Sequence, residues 1–125
     1  MKKLLVIACI LIGTSAFAQK DQTSPVWPGC GNSKDVKACF NKKLAQHVRE
    51  NYQYPKNDDG QYVRGKVTIT FTINEKGNVV VNEVKGDKPA VNQAAKEMIQ
   101  KIPHMKPGTL KGEPDDSEFT VTYKF

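Results

Sequence analysis

The C-terminal two thirds of the chain contain stretches in which apolar and polar residues alternate, a pattern that predicts β-strands with one wet face. The first strand is predicted over 66–73 and the second over 79–85, and turn-forming residues at 74–78 join them into a β-hairpin. Three consecutive valines at 79–81 leave open which face of the second strand is apolar. A last alternating stretch over 118–125 predicts a third strand.

Two other segments repeat their apolar residues every three or four positions, as amphipathic helices do. The first apolar stripe is Val36, Cys39, Phe40, Leu44, Val48 and Tyr52, and the second is Val91, Ala94, Ala95, Met98, Ile99 and Ile102. Ser33 or Asp35 is predicted to cap the first helix, and Pro55 ends it. Asp87 is predicted to cap the second helix, with Pro89 in its first turn.

The element order is therefore helix, strand, strand, helix, strand, which predicts the α+β class. The hairpin makes the first two strands antiparallel, and the crossover through the second helix makes the third strand parallel to the second. Placing the third strand beside the first gives a small three-stranded antiparallel sheet with both helices on one face. The last strand, residues 118–125, then becomes a sheet edge with unpaired backbone donors and acceptors.

The opening residues have the pattern of a signal peptide. Lys2 and Lys3 precede an apolar run over 4–12, and small residues follow up to Ala18. Cleavage is predicted before Gln19, which predicts a periplasmic or secreted protein.

Two alternatives keep the protein at a membrane. A retained anchor would need about 20 apolar residues, and the apolar run is interrupted at 13–15. Residues 6–9 also resemble a lipoprotein cleavage box, which would lipidate Cys9 and tether the chain.

Three regions are therefore expected: a signal peptide over 1–18, an irregular leader rich in Pro and Gly over 19–34, and one domain over 35–125. Loss of the signal peptide leaves two cysteines, Cys30 and Cys39, in an oxidising compartment, which predicts a disulfide that fastens the leader. On the loop-entropy model such a link contributes about 2.5–3 kcal/mol.

The charge of the chain and its distribution argue against nucleic-acid binding. The formal charge of +6 falls to +4 without Lys2 and Lys3, and the basic residues are interspersed with acidic ones. No basic stripe tracks a phosphate backbone, so nucleic-acid binding is not expected.

The residues that carry chemistry form no recognisable catalytic or metal site. His47, predicted on the polar side of the first helix, and His104, in the loop after the second, belong to no nucleophile motif. The pairs at 58–59 and 115–116 lack the alternating oxygen ligands of a calcium loop. No glycine-rich phosphate cradle follows a strand. The sequence therefore predicts no catalytic residues, no metal, no cofactor and no small-molecule substrate.

Residues 44–125 resemble the C-terminal domain of the TonB family, periplasmic energy transducers that engage outer-membrane receptors. The landmarks of the resemblance are Tyr54-Pro55, Gly65-Lys66-Val67, Phe71, Gly77-Asn78-Val79, Ala94-Ala95, Lys106-Pro107-Gly108, Lys111-Gly112 and Phe125. Each is weak alone, and together, in this order, they are specific.

The resemblance implies that a short peptide of a receptor adds as an extra strand against the last strand. Strand addition draws affinity from main-chain hydrogen bonds and specificity from alternate side chains. The residues expected to bind are Tyr52, Gln53 and Tyr54 near the mouth of the edge and Glu118, Thr120, Thr122 and Lys124 along it. For the two tyrosines, an alternative of at least equal weight is that they only pack against the end of the helix and do not contact a partner.

The transducers of the family carry an uncleaved membrane helix and a long proline-rich spacer, and neither pattern is present in this sequence. Energy transduction by this chain alone is therefore not expected. Two hypotheses remain: a periplasmic module that binds peptide segments of outer-membrane receptors or other envelope proteins, and a scaffold that self-associates as a homodimer through the same edge.

Overall fold

The computed structural model describes residues 21–125. The predicted signal peptide and Cys9 lie outside the described residues. The helices are α1 (Val36–Asn51) and α2 (Pro89–Gln100). The strands are β1 (Gln22–Thr23), β2 (Lys66–Ile73), β3 (Val79–Gly86), β4 (Gly108–Leu110), β5 (Glu113–Asp115) and β6 (Ser117–Lys124).

The main sheet has the order β3-β2-β6 and is antiparallel throughout. This confirms the predicted α+β class and the predicted placement of the last strand beside the first strand of the hairpin. The structure adds what the sequence did not predict, a second three-stranded antiparallel sheet of the order β1-β4-β5.

A β-bulge settles the orientation of the valine-rich strand β3. Thr70 pairs with Glu83 whereas Phe71 pairs with Val81, so that one extra residue, Asn82, lies between the two pairs. The bulge shifts the alternation by one residue. Consequently Val79, Val81 and Val84 are all half-buried and pack against the core, while Val80 is exposed.

The two helices begin at different kinds of cap. The carboxylate of Asp35 accepts a hydrogen bond from the backbone N–H of Ala38 at 3.0 Å, as predicted for α1. The prediction that Asp87 caps α2 is wrong, because the cap residue is Lys88, which makes no side-chain capping bond. Since Pro89 forces the residue before it into extended geometry, the helix begins at the proline, and Asp87 lies one residue too early to cap it.

The core lies between the two helices and the main sheet. The apolar residues of β2 have no exposed surface, and the stripe of α2 packs on this face with Val91, Ala95, Met98 and Ile99. From α1 come Phe40, Leu44, His47 and Val48. The other face of the sheet is polar and open.

The leader contributes to this core, and two of its residues form the short strand β1, which the sequence did not predict. Trp27 is 6% exposed, and Cys30 is fully buried in the predicted disulfide with Cys39. Strand β1 pairs with β4, so the stretch over 104–116, also predicted irregular, forms two short strands. Gly108 permits this pairing, because a Cβ there would lie 2.7 Å from the carbonyl oxygen of Thr23.

Gly77 in the hairpin turn is expected to contribute strongly to the stability of the fold. Its φ of +83° is unfavourable for other residues, and a Cβ would overlap the carbonyl oxygen of Met105. We expect Gly77→Ala to lower the free energy of unfolding by more than about 2 kcal/mol, measured by urea denaturation. Gly60→Ala is the matched control, because Gly60 has a φ of +78° and open space around it. A similar loss in both variants would show that the carbonyl contact contributes nothing.

Candidate functional site

Strand β6 has a free backbone edge whose polar groups come from alternate residues. Gly65 and Phe125 exchange both backbone hydrogen bonds, at 3.0 and 2.9 Å, and the register between β2 and β6 continues from that pair without a shift. In an antiparallel ladder such pairs alternate with pairs that do not bond to each other. The N–H and C=O groups of Glu118, Thr120, Thr122 and Lys124 therefore point away from β2.

These four residues are the ones that the sequence analysis assigned to the edge. Within residues 21–125, β6 has β2 as its only neighbouring strand in the main sheet. The result is a row of four donors and four acceptors directed at solvent, held by a strand that is itself paired along its whole length.

Threonines on the polar face tie β6 to β2. The hydroxyls of Thr68 and Thr122 lie 2.9 Å apart, and those of Thr70 and Thr120 lie 3.2 Å apart. Cross-strand threonine pairs stabilise a sheet. These two pairs therefore reinforce the backbone pairing of β6 with β2.

Charge concentrates at the C-terminal end of this edge. Lys66 and Lys124 stand directly opposite each other in the register, both exposed. Like charges in opposed positions destabilise a sheet. Neither lysine forms an ion pair with another residue in the part of the chain that the structure describes. An acidic group on an added strand beside Lys124 would relieve this repulsion.

On the other face of β6 the side chains are apolar and only half-buried. Phe119 stacks on Phe71 with ring centroids 5.4 Å apart and on Phe40 of α1 at 4.9 Å. The row continues to Trp27 of the leader, whose ring meets Phe40 edge-on at 5.5 Å. Val121 is half-buried as well. An added strand would bury the remaining exposed surface of these residues.

A second aromatic group surrounds the C-terminal residue. Tyr52 stacks on Phe125 with ring centroids 3.6 Å apart, and Tyr54 meets both rings edge-on. Tyr54 remains 42% exposed, with the guanidinium of Arg64 5.3 Å from its ring centre. The structure thus brings Tyr52 and Tyr54 to the end of β6, where the sequence analysis placed them. Their packing and contact roles are compatible, because Tyr52 is half-buried and Tyr54 projects.

Gln53 occupies a different position from its two tyrosine neighbours. It is exposed and lines a cleft of about 210 Å³ against α2, together with Glu97 and Lys101. No hydrogen bond joins its side chain to β6 in the described part of the chain.

Burial changes the acidity of two tyrosines at this end of the sheet. Desolvation raises the pKa of Tyr52 above its ordinary value of 10.0, and the neighbouring Tyr54 raises it further. The hydroxyl of Tyr52 is buried without a hydrogen-bond partner among residues 21–125. Desolvation also raises the pKa of Tyr123. Both side chains therefore stay neutral at physiological pH.

The N-terminal end of β6 borders a groove that the sequence did not predict. A cavity of about 270 Å³ lies between the leader, α1 and β6, and its lining is Ser24, Pro25, Lys37, Phe40, Asn41 and Phe119. Beside it, a second hollow of about 480 Å³ separates leader residues 22–25 from the start of β6. Besides the predicted disulfide, the one feature of the sequence that indicates packing of the leader against the domain is its single tryptophan, close to Cys30.

Neither histidine is arranged for catalysis. The prediction that His47 lies on the polar side of α1 is wrong, since it is 7% exposed and its Nε2 lies 2.8 Å from the backbone oxygen of Met98. The side-chain amide of Asn51 donates to its Nδ1 at 3.1 Å, so that Nε2 carries the proton and donates to Met98. His104 lies 2.7 Å from the backbone oxygen of Lys76 and ties the loop after α2 to the hairpin turn.

Two further properties concern the described residues alone. Residues 21–125 contain no group of three or more His, Cys, Asp or Glu side chains placed to hold a metal ion. Neither α1 nor α2 has the length and apolar character needed to cross a membrane.

Comparison with protein families matches residues 50–125, more than half of the chain, to the model described as Gram-negative bacterial TonB protein C-terminal. The chain belongs to the TonB C-terminal family. The match covers the end of α1, the whole main sheet and α2, and hence the free edge of β6. The leader and most of α1 precede it. None of the curated proteins matches this chain.

Two solved structures of the TonB C-terminal domain of Helicobacter pylori, both determined by NMR, are similar to this chain. The structure of residues 179–285 has 21% sequence identity and a TM-score of 0.53, and the alignment covers 78% of this chain and 88% of that one. The structure of residues 194–285 has 22% identity and a TM-score of 0.40, with coverages of 69% and 91%. The first of these confirms the fold of the TonB C-terminal domain.

The raised pKa values of Tyr52 and Tyr123 predict a loss of stability in alkali. A group whose pKa is higher in the folded state stabilises the protein below its unfolded pKa, near 10, and this contribution is lost as pH rises through the folded value. We expect the free energy of unfolding to fall as pH rises above about 10, measured by urea denaturation across alkaline pH. The decline should be smaller in the double variant Tyr52→Phe, Tyr123→Phe. An identical decline in that variant would assign the loss to other groups.

Proposed function

We propose that this chain is an exported, periplasmic protein-binding module that captures an extended segment of another protein as a new strand on the free edge of β6. The observation that carries the proposal is the row of outward-facing N–H and C=O groups from Glu118 to Lys124. A partner that satisfies these groups must present a matching row of C=O and N–H groups, and an extended backbone does so. The domain itself is taken to extend over residues 35–125, with 1–18 removed as a signal peptide.

The edge is preorganised for this role because its pairing with β2 already holds β6 in extended geometry. Strand β6 pairs with β2 over eight positions, and β2 lies in the middle of the sheet with its apolar side chains fully buried. A preorganised binding surface avoids part of the entropy cost of association. The half-buried apolar face of β6 adds surface that a partner strand can bury.

The partners we propose are N-terminal segments of outer-membrane receptors, or equivalent extended segments of other envelope proteins. The TonB C-terminal domain is a protein-interaction module, and membership of its family supports a protein partner. The lysines at 66 and 124 favour a partner with an acidic residue at that end of the strand. Tyr54, exposed at the same end, offers an aromatic surface to residues beyond the paired segment.

Thr122→Pro is expected to weaken binding strongly while leaving the fold intact. The N–H of Thr122 points away from β2, so proline at this position removes a donor from the free edge and none from the sheet. Isotope-labelled protein from the periplasm is titrated with synthetic receptor N-terminal peptides, and NMR shifts along residues 117–125 report binding. We expect at least about tenfold weaker binding, from the lost hydrogen bond and the steric obstruction by the ring.

Thr122→Val is the matched control, since it keeps the N–H and the β-branched shape, and it should bind like the unmodified protein. Thermal denaturation of both variants checks that the sheet is retained. The proposal is contradicted if no peptide shifts these amides at millimolar concentration, or if the proline variant binds as well as the control.

A second candidate function is self-association, and a specific property of β6 favours it. If two copies of β6 pair antiparallel about Val121, Glu118 of each copy stands opposite Lys124 of the other, and Thr120 stands opposite Thr122. All four of these residues direct their backbone groups to the free edge, so the register satisfies the alternation of an antiparallel ladder. The symmetric pairing is isologous and closes as a dimer.

Charge reversal distinguishes this dimer from a nonspecific one. Glu118→Lys and Lys124→Glu should each weaken dimerisation by about tenfold, since each places like charges opposite each other twice per dimer. The combined variant restores opposite charges and should recover the original dissociation constant. Sedimentation equilibrium measures all four proteins. A strictly monomeric protein at high concentration, or no recovery in the combined variant, would contradict the register.

A further inference from the structure

The cavity at the N-terminal end of β6 lies where one side chain of an added strand would be. In a strand added antiparallel, the residue opposite Phe119 forms a pair without mutual hydrogen bonds, because the backbone of Phe119 bonds to β2. Such pairs are the close ones, with Cα atoms about 4.5 Å apart and side chains on the same face. The side chain opposite Phe119 therefore projects into the cavity between Pro25, Phe40 and Phe119.

The size and walls of the cavity define what it accepts. Its volume of about 270 Å³ is below the range of about 300–1,000 Å³ typical of small-molecule sites. Two of its walls are aromatic rings, Phe40 and Phe119, stacked with centroids 4.9 Å apart. Lys37 at the rim adds a cation that interacts favourably with an aromatic ring and unfavourably with another cation.

We infer that this cavity is a specificity pocket for one aromatic side chain of the extended segment bound by β6. The inference rests on the proposed strand addition and states which partner sequences the edge selects. An aromatic ring from the partner extends the row formed by Trp27, Phe40, Phe119 and Phe71. In an antiparallel segment, the residue opposite Lys124 precedes the residue opposite Phe119 by five positions. An acidic residue is therefore expected five positions before the aromatic one.

Most of the pocket lies outside the part of the chain that matches the TonB C-terminal family. The match begins at residue 50, and among the lining residues Phe119 alone lies within it. The leader wall is held by the disulfide of Cys30, by the burial of Trp27 and by the pairing of β1 with β4. The leader thus adds a selective element to an edge that the family's domain supplies.

The leader also limits how far an added strand extends. Residues 22–25 face Asp116 and Ser117 across the second hollow, at the point where β6 begins. A bound segment therefore pairs along residues 118–124 and meets the leader beyond them. Only one paired residue of the segment, the one opposite Glu118, follows the aromatic residue.

Two peptides that differ at one position test the pocket. The first is Glu-Val-Thr-Val-Thr-Phe, which places Glu opposite Lys124 and Phe opposite Phe119, and the second ends in Ala instead. Titration of the full exported protein, below the concentration at which it dimerises, is followed by NMR. We expect the Phe peptide to bind about tenfold to a hundredfold more tightly, the ratio that burial of one large apolar side chain provides.

Asn41→Trp tests the location of the pocket on the protein. Asn41 is exposed on α1 and lines the cavity, so a tryptophan there fills it without removing a core contact. The variant should bind the Phe peptide as weakly as the Ala peptide and should bind the Ala peptide unchanged. Lys42→Trp is the matched control, at the next exposed position of the helix and outside the cavity, and it should retain the preference for Phe.

The outcomes distinguish a failure of the proposed pocket from a failure of strand addition to β6. Equal affinity for the two peptides, with shifts along residues 118–124, would overturn the pocket and leave strand addition standing. A preference for Phe that survives in Asn41→Trp would also overturn it. If receptor peptides shift the edge while neither designed peptide does, the pocket again fails. If no peptide of either kind shifts these residues, strand addition itself fails.

Discussion

The central strand β2 is the element on which the rest of the structure depends. Its apolar residues have no exposed surface, and its backbone is hydrogen-bonded to β3 on one side and to β6 on the other. Because the backbone of β2 is hydrogen-bonded on both sides, the unpaired backbone groups of the main sheet lie on the two outer strands, β3 and β6. The strand addition that we propose can therefore take place only at one of these two outer strands.

The two edges differ in their regularity. A bulge interrupts β3 at Asn82, and Glu83 and Lys85 follow it as an exposed ion pair with N and O 3.7 Å apart. Bulges and charged residues are common devices that protect an edge against pairing. Strand β6 has no bulge in its eight paired positions, and its charged residues, Glu118 and Lys124, lie near its two ends. Phe119, on its apolar face, borders a cavity. The sheet is thus protected on the β3 side, and the β6 side is the one to which we assign strand addition.

The leader shows how a short segment outside the main sheet modifies such an edge. It is joined to α1 by one disulfide, and its single tryptophan makes edge-on contacts with Phe40 and His47 at 5.5 and 5.8 Å. These contacts hold Pro25 in position as a wall of the cavity. A small domain gains stability from a disulfide and a large buried ring. Here the same contacts shape the proposed binding surface.

The spacing of apolar and polar residues by itself determined the three strands of the main sheet and the two helical stripes. These features are local, because each follows from the period of a single element. Tertiary structure decided the rest: the bulge at Asn82, the burial of His47 and the aromatic row from Trp27 to Phe71. These depend on contacts between residues distant in sequence, and a pattern read along one element carries no information about what packs against it.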